Sequence, residues 1–475
     1  MPEQKPIRET PERSAGVHRK LARNSSSVLL ASIISAVAFV ATTIITARLL
    51  GPTGRGQLTL ATLLATLIVT LGSLGLGAAA TYYAARGERD RSTVLGSSIL
   101  LGLALGVVIV AAGVLTIVFG HVTLHGIPAS YLLLAILVIP FSLVMTNVQS
   151  VFLGLQRFRE YNLITIGQAV LPLLLVGVAL LILSGGVRAA IIATTLSTIL
   201  LAVVTLVAAI RAISVRWRLD RSYVRAAASY GLRVHIANVL GFLGYRLDVF
   251  VLNAYASPAA VGLYAAAVSI AERLWMLSQA VSIALFPRIA EEKDENVRRS
   301  ITPLLTRNTL WLTAAAGVLM WALSTPVVTI LFSSKFESSV GALRALLPGI
   351  VTFAAARVLE NDIAARGRPI INSYLTGTSV VLNLGLNLIL IPRHGIAGAA
   401  WASTISYSVL FAATLVVYCK IADVSVRTVI VPTRSDAAAY FRLARRLLSR
   451  PAAQESEGLE LATPITLPDG DDKDS

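Results

Sequence analysis

The sequence predicts an all-α, polytopic membrane protein with twelve transmembrane helices in two pseudo-symmetric six-helix lobes. Three features lead there. The chain is 55% apolar and only 14% charged, with a mean hydropathy of +0.74, whereas about a quarter of residues are charged in a soluble domain. Its basic residues gather on alternate connections. Two sequence blocks of the first half return, in order, in the second.

A helix spans the hydrocarbon core with about 20 mostly apolar residues, because its backbone donors and acceptors satisfy one another without water. Stretches of that kind lie near 25–48, 57–84, 93–119, 129–154, 162–184, 187–210, 229–253, 260–286, 306–332, 341–365, 370–391 and 396–419.

The net charge of +16 would suit nucleic acid, but the placement of the basic residues argues for a lipid bilayer and no nucleic-acid partner. With the amino terminus in the cytoplasm, inside segments hold 30 of the 41 lysines and arginines. Outside loops hold only Arg55, Arg188, Lys335 and Arg393. This is the positive-inside pattern of an even number of spans with both termini cytoplasmic. The polar, basic residues 1–24 run directly into a full-length span, so no cleaved signal peptide is expected. A single cysteine, Cys419, can form no internal disulfide and says nothing of redox compartment.

The internal repeat rests on two blocks. LLGPTGRGQLTLA places Pro52 four residues before Gly56, and NAYASPAAVGLYAAA places Pro258 four before Gly262. GVRAAIIATTLSTIL, from Gly186, lines up with GIAGAAWASTISYSVL, from Gly395, pairing Ala190 with Ala399, Thr195 with Thr404 and Ser197 with Ser406. The offsets are 206 and 209 residues. Small residues are common in membrane helices, but two ordered blocks at nearly one offset point to duplication, and six spans per half give parallel repeats. The expected divisions are a cytoplasmic basic segment at 1–24, a lobe at 25–210, a cytoplasmic connector at 211–228, a second lobe at 229–419 and a cytoplasmic tail at 420–475. In the tail, residues 437–450 have the arginine and apolar spacing of an interfacial helix, and the acidic end reads as disordered.

Candidate chemistry sits inside the spans. There is no metal-ligand cluster, no phosphate-cradling glycine loop and no large extramembrane domain, so neither a cofactor nor an enzyme activity is expected. His121, His125 and His394 fall in outside loops and read as solvated. Ionisable residues within spans each cost roughly 2.5–3.5 kcal/mol on insertion scales, so they should face a cavity or a partner. Arg246 and Asp248 lie in span seven, Glu272 and Arg273 in span eight, Arg307 in span nine, and Arg357, Glu360 and Asp362 in span ten; Arg48 closes span one and Arg344 opens span ten. Arg307 and Arg344 are expected to snorkel to the interface. Arg246, Arg273 and Arg357 lie deeper, where pairing with Asp248 or Glu272 and a substrate role are both open. Guanidinium groups bind phosphate oxygens in a forked geometry, so unpaired cavity arginines would favour an anionic, phosphate-bearing passenger. Asn147, Gln149, Gln168, Asn238, Gln279, Asn383 and Asn387 add hydrogen-bonding capacity for a hydroxyl-rich ligand or for helix contacts. Pro140, Pro172, Pro326 and Pro348 lie where they could kink spans.

The stretch from Asn24 to Ala61 resembles the opening of polysaccharide biosynthesis proteins, the lipid-linked oligosaccharide flippases of the MOP exporter superfamily. RLDVFVLNAYASPAAVGLYAAA from Arg246, ALFPRIAE at 284–291 and GIAGAAWASTIS from Gly395 support the resemblance, which covers nearly the whole chain to about residue 420. It implies alternating access of two six-helix lobes in the plasma membrane, moving an undecaprenyl-diphosphate-linked glycan between leaflets. A cationic central cavity lined by the first two helices of each lobe then points to Arg48, Arg246 and Arg273, with Arg357 on a more peripheral helix and Gln168 and Asn147 as polar contacts. Asp248 and Glu272 are the protonatable candidates for ion coupling. Related lipid II flippases tend to have two extra helices, so twelve favours a polymer-unit flippase. The implied partners are the lipid-linked glycan, the bilayer, and a glycan polymerase or other assembly protein. Two alternatives stand beside this reading. A multidrug or cation antiporter of the same superfamily should line its cavity with acids. A membrane glycan polymerase or ligase needs a long outside loop, and the longest here is about nine residues.

Overall fold

The computed structural model describes residues 11–120, 124–275 and 295–433, without the side chains of 11–26 and 295–298. The expectations for His121, Gln279, the 284–291 motif, the 437–450 helix and the acidic end lie outside the described residues. Contacts divide the chain into one compact unit, Met1–Ile430, and a second, Val431–Ser475.

The described residues of the first unit form helices joined by short turns, with no strand among them. In order it contains α1 (Pro11–Gly72), α2 (Leu76–Arg86), α3 (Arg91–Val118), α4 (Ala129–Ile136), α5 (Ile139–Gly154), α6 (Phe158–Gly177) with a π-helical turn at Val178–Ile182, and α7 (Val187–Ala212). There follow α8 (Arg221–Tyr255), α9 (Pro258–Ala271), α10 (Glu295–Ala322), α11 (Ser324–Phe332), α12 (Ser339–Ala365), α13 (Pro369–Ala422) and α14 (Val426–Ile430). Among the described residues eight helices are long and apolar enough to cross a membrane, or nine if α10 and α11, bent by 69° between them, form one broken span. The long α1 and α13 each contain two arms. With those arms counted separately and α9 added, the architecture is broadly consistent with twelve spans.

The breaks have local causes. Gly51 adopts φ +66°, ψ −177°, a conformation open to glycine and closed to side-chain-bearing residues. Pro52 follows at the start of the second arm, where its missing N–H costs nothing. The expected outside loop between spans one and two is therefore a single-residue corner, and Arg55 lies within helix. Gly395 makes the equivalent break in α13, at φ 54°.

Large apolar side chains face outward along the helices: Val37 is 65% exposed, Val108 65%, Ile182 72%, Val318 70% and Val381 71%. Water would not tolerate this much apolar surface, and lipid does. Inside, the paired blocks make matching contacts. Thr195 on α7 donates to the Leu134 carbonyl of α4 at 3.3 Å, and Thr404 on α13 donates to the Ala345 carbonyl of α12 at 2.5 Å. Residues paired by the 209-residue offset thus tie corresponding spans together.

The connector between α7 and α8 packs on the start of α3. Ser97 donates to the Arg218 carbonyl at 3.2 Å, and Arg216 pairs with Asp90 at 3.6 Å. Asp220 caps α8 by accepting from the backbone N–H groups of Ser222 and Tyr223 at 2.8 and 3.0 Å, and these bonds hold its carboxyl below the usual range.

Candidate functional site: a cationic cavity with a hydroxyl wall

A cavity of about 550 Å³ opens between α1, α6 and α7 from the first half and α8 and α9 from the second. A neighbouring, more open cavity of about 450 Å³ is lined by α1, α6 and the segment Glu272–Trp275. Phe39, Gln168, Ala169 and Glu272 belong to both walls, so the two spaces adjoin.

Seven threonines line the larger space: Thr42, Thr46, Thr59, Thr62, Thr66, Thr194 and Thr198. Most donate their hydroxyl proton back to the carbonyl four residues earlier, as Thr42 does to Ala38 at 2.9 Å and Thr66 to Thr62 at 2.8 Å. A threonine bonded in this way has its proton committed and its lone pairs left over. The wall therefore offers acceptors, the complement of sugar hydroxyl donors.

The charged residues do not all behave as the sequence predicts. Arg246 reaches this cavity, but Glu272 matches both arms of its guanidinium, Nη1 to Oε1 at 2.6 Å and Nη2 to Oε2 at 3.0 Å. The pair lines the wall as a nearly neutral unit. Arg273 lines the neighbouring space, where its guanidinium lies 4.9 Å from the Phe39 ring centre and donates to the Ser269 carbonyl at 3.3 Å. No carboxylate oxygen among the described residues lies within 4 Å of it. Gln168 lies on both walls and donates to Gln149 Oε1 at 3.3 Å.

Arg48, by contrast, lies outside the two cavities. Its Nε donates to the Leu331 carbonyl at 2.9 Å and its Nη2 to the Ile330 carbonyl, so the cation sits on unsatisfied carbonyls at the carboxyl end of α11. Arg357 pairs with Glu360 at 3.0 Å and lines a separate pocket of about 290 Å³ among α8, α12 and α13. Asn147 is buried against α3, donating to the Ser98 carbonyl at 2.9 Å, and serves as helix-to-helix glue. Arg307 does not snorkel: it is 7% exposed, and Nη1 donates to the Thr428 carbonyl at 2.9 Å. Arg344 instead stacks on Trp321 at 4.9 Å and donates to Ser324 Oγ at 2.7 Å.

Asp248, two residues from Arg246, points the other way. It is 4% exposed and accepts from the Tyr264 hydroxyl, from Ser403 Oγ at 3.2 Å and from the Val249 N–H at 2.8 Å. Thus α8 directs a cation toward the cavity and an acid into the packing of the second half.

Arg55 is the cavity residue that sequence reasoning missed. Counted as an outside-loop charge, it is on the wall of the larger space because α1 restarts as helix directly after Gly51. The sequence signal for this is Gly51–Pro52, a one-residue turn followed by a helix restart.

With this geometry in view, a model of the family described as "Polysaccharide biosynthesis protein" matches residues 21–292, more than half of the chain. The chain belongs to this family. It is 26% identical over 190 residues to a probable low-salt glycan biosynthesis flippase of Haloferax volcanii, a match covering 39% of this chain. The chain spans about 40% of the length of that relative. Among solved structures, a lipid II flippase in an inward closed conformation superposes with a TM-score of 0.69 at 14% identity, covering 89% of this chain and 93% of the other. An inward-facing multidrug resistance MATE transporter of the MOP superfamily gives 0.67 at 16% identity, covering 82% and 94%. At these identities the two structures establish a shared transporter fold.

Proposed function

We propose that this family member is a flippase that moves an undecaprenyl-diphosphate-linked oligosaccharide across the plasma membrane by alternating access, with both termini cytoplasmic and no bond made or broken in the passenger. The observation that carries the reading is the pair of adjoining cavities between the halves, with arginines for a diphosphate and a threonine wall for sugar hydroxyls. The more open space, between α1 and the Glu272–Trp275 segment, suits entry of an anionic headgroup past Arg273. Arg246 then offers a second contact once the incoming phosphate displaces Glu272. Asp248 and Glu272 are the acids through which an ion gradient would couple to this motion.

A cation antiporter of the same fold would want an unpaired acid on the wall. Glu272 is there, but Arg246 occupies it on both oxygens, which favours the anionic passenger.

The test is genetic and biochemical. Deletion of the gene should cause lipid-linked glycan to accumulate on the cytoplasmic leaflet, and the wild-type chain should reverse this. Rescue should fall with Arg273→Ala and with Arg246→Ala. A deletion strain with unchanged lipid-linked glycan on both leaflets sinks the proposal.

A further inference from the structure

We propose that Arg55 and Thr59 form a phosphate-binding subsite at the α1–α9 side of the larger cavity, an inference that rests on reading this space as the path of an anionic headgroup.

Arg55 Nη1 donates to Thr46 Oγ1 at 3.0 Å, across the corner at Gly51. Its Nε is buried with no hydrogen-bond partner, and no carboxylate oxygen among the described residues lies within 4 Å. A guanidinium carries five N–H donors in a fixed fork. A cation whose buried Nε donor is left unmet is costly unless something anionic completes it. Thr59 lies one turn further along the same helix, lines the same cavity, and also has a buried hydroxyl without a partner. Residues four apart share a helix face. With one guanidinium arm held by Thr46, the arrangement leaves the Arg55 Nε and the Thr59 hydroxyl unfilled on one helix face, a donor set that matches the oxygens of a phosphate or diphosphate.

The other arginine on this wall is not equally available, because Glu272 satisfies both its arms. Position is fixed as well. Gly56, the next residue, meets the backbone of α9 at Pro258 with no room for a side chain, so Arg55 is held beside the tightest crossing between the halves.

The test uses the purified full chain in nanodiscs and three probes: geranylgeranyl diphosphate, geranylgeranyl monophosphate and inorganic pyrophosphate. Arg55→Gln should weaken diphosphate-lipid binding about tenfold or more, Thr59→Val about threefold, and Arg48→Gln, outside the cavity, not at all. Arg55→Lys keeps the charge without the fork and should lose the preference for diphosphate over monophosphate. This second variant carries the test if Arg55→Gln fails to fold. Arg55-dependent binding of pyrophosphate but of neither lipid supports the subsite and assigns it to free phosphate, overturning the lipid-headgroup path. Wild-type binding by Arg55→Gln, or an unaltered preference in Arg55→Lys, overturns the subsite. If Arg273→Gln then abolishes binding, the flippase reading survives without it. Failure of the wild-type chain to bind any probe removes both.

Discussion

Gly56 packs directly against the start of α9, and Gly262 packs back against the start of the second arm of α1. A Cβ on Gly56 would lie 1.7 Å from the Pro258 carbonyl oxygen, and one on Gly262 would lie 2.0 Å from that of Pro52. The two Pro-to-Gly blocks that repeat in sequence therefore meet each other in space, each glycine admitting the other block's proline carbonyl. Small residues allow such close backbone approach in membrane helices.

Gly56→Ala should consequently destabilise the protein by roughly 1–3 kcal/mol, because the obstructing atoms are backbone and cannot rotate aside. Gly177→Ala, in α6 where nothing lies within 4 Å, should be neutral or slightly stabilising. Thermal unfolding in detergent compares them directly, and equal melting temperatures would refute the crossing.

Arg246 and Glu272 should behave as a unit. Each single change, Arg246→Ala or Glu272→Gln, strands its partner on a half-buried wall, so the double variant should cost less than the sum, with a coupling of about 1–3 kcal/mol. Glu272→Gln should also tighten binding of a diphosphate lipid, because it frees both guanidinium arms. Weaker binding by that variant would argue against displacement of Glu272 by the passenger.

Removal of the Asp248 carboxylate leaves the Tyr264 and Ser403 hydroxyls without their acceptor in a dry environment. Asp248→Ala should cost about 2 kcal/mol, whereas Asp248→Asn keeps an acceptor oxygen and should retain most of the stability. If Asp248 couples an ion to transport, the Asn variant will fold normally yet lose dependence of flipping on the gradient.

The cap on α8 supplies a pH signature away from the membrane. The carboxyl of Asp220 titrates lower when folded than when unfolded, so its stabilisation is fully present above its unfolded value and is lost as pH falls through the folded one. Asp220→Ala should melt lower than the wild type at neutral pH, and the gap should close as the pH falls below the ordinary carboxylate range, through the folded carboxyl's lowered value. A gap independent of pH would mean that the cap acts through something other than its charge.

Hydropathy, the basic residues of alternate connections and the two recurring blocks determined that this is an all-helical membrane protein with related halves, since spanning lipid demands long apolar helices and duplication leaves its mark at fixed offset. Composition also placed arginines in the bundle. Only the tertiary structure decided which of them are available. Arg48 turns to helix-end carbonyls, Arg357 to Glu360 and Arg246 to Glu272, each through a partner between 3 and 283 residues away in the chain. Arg55, an outside-loop charge by its place between the first two apolar stretches, enters the cavity because one glycine corner at Gly51 brings the second arm of α1 back against α9. A side chain's charge is written in the sequence, whereas whether that charge is spent or spare depends on which atoms folding brings within about 3 Å of it.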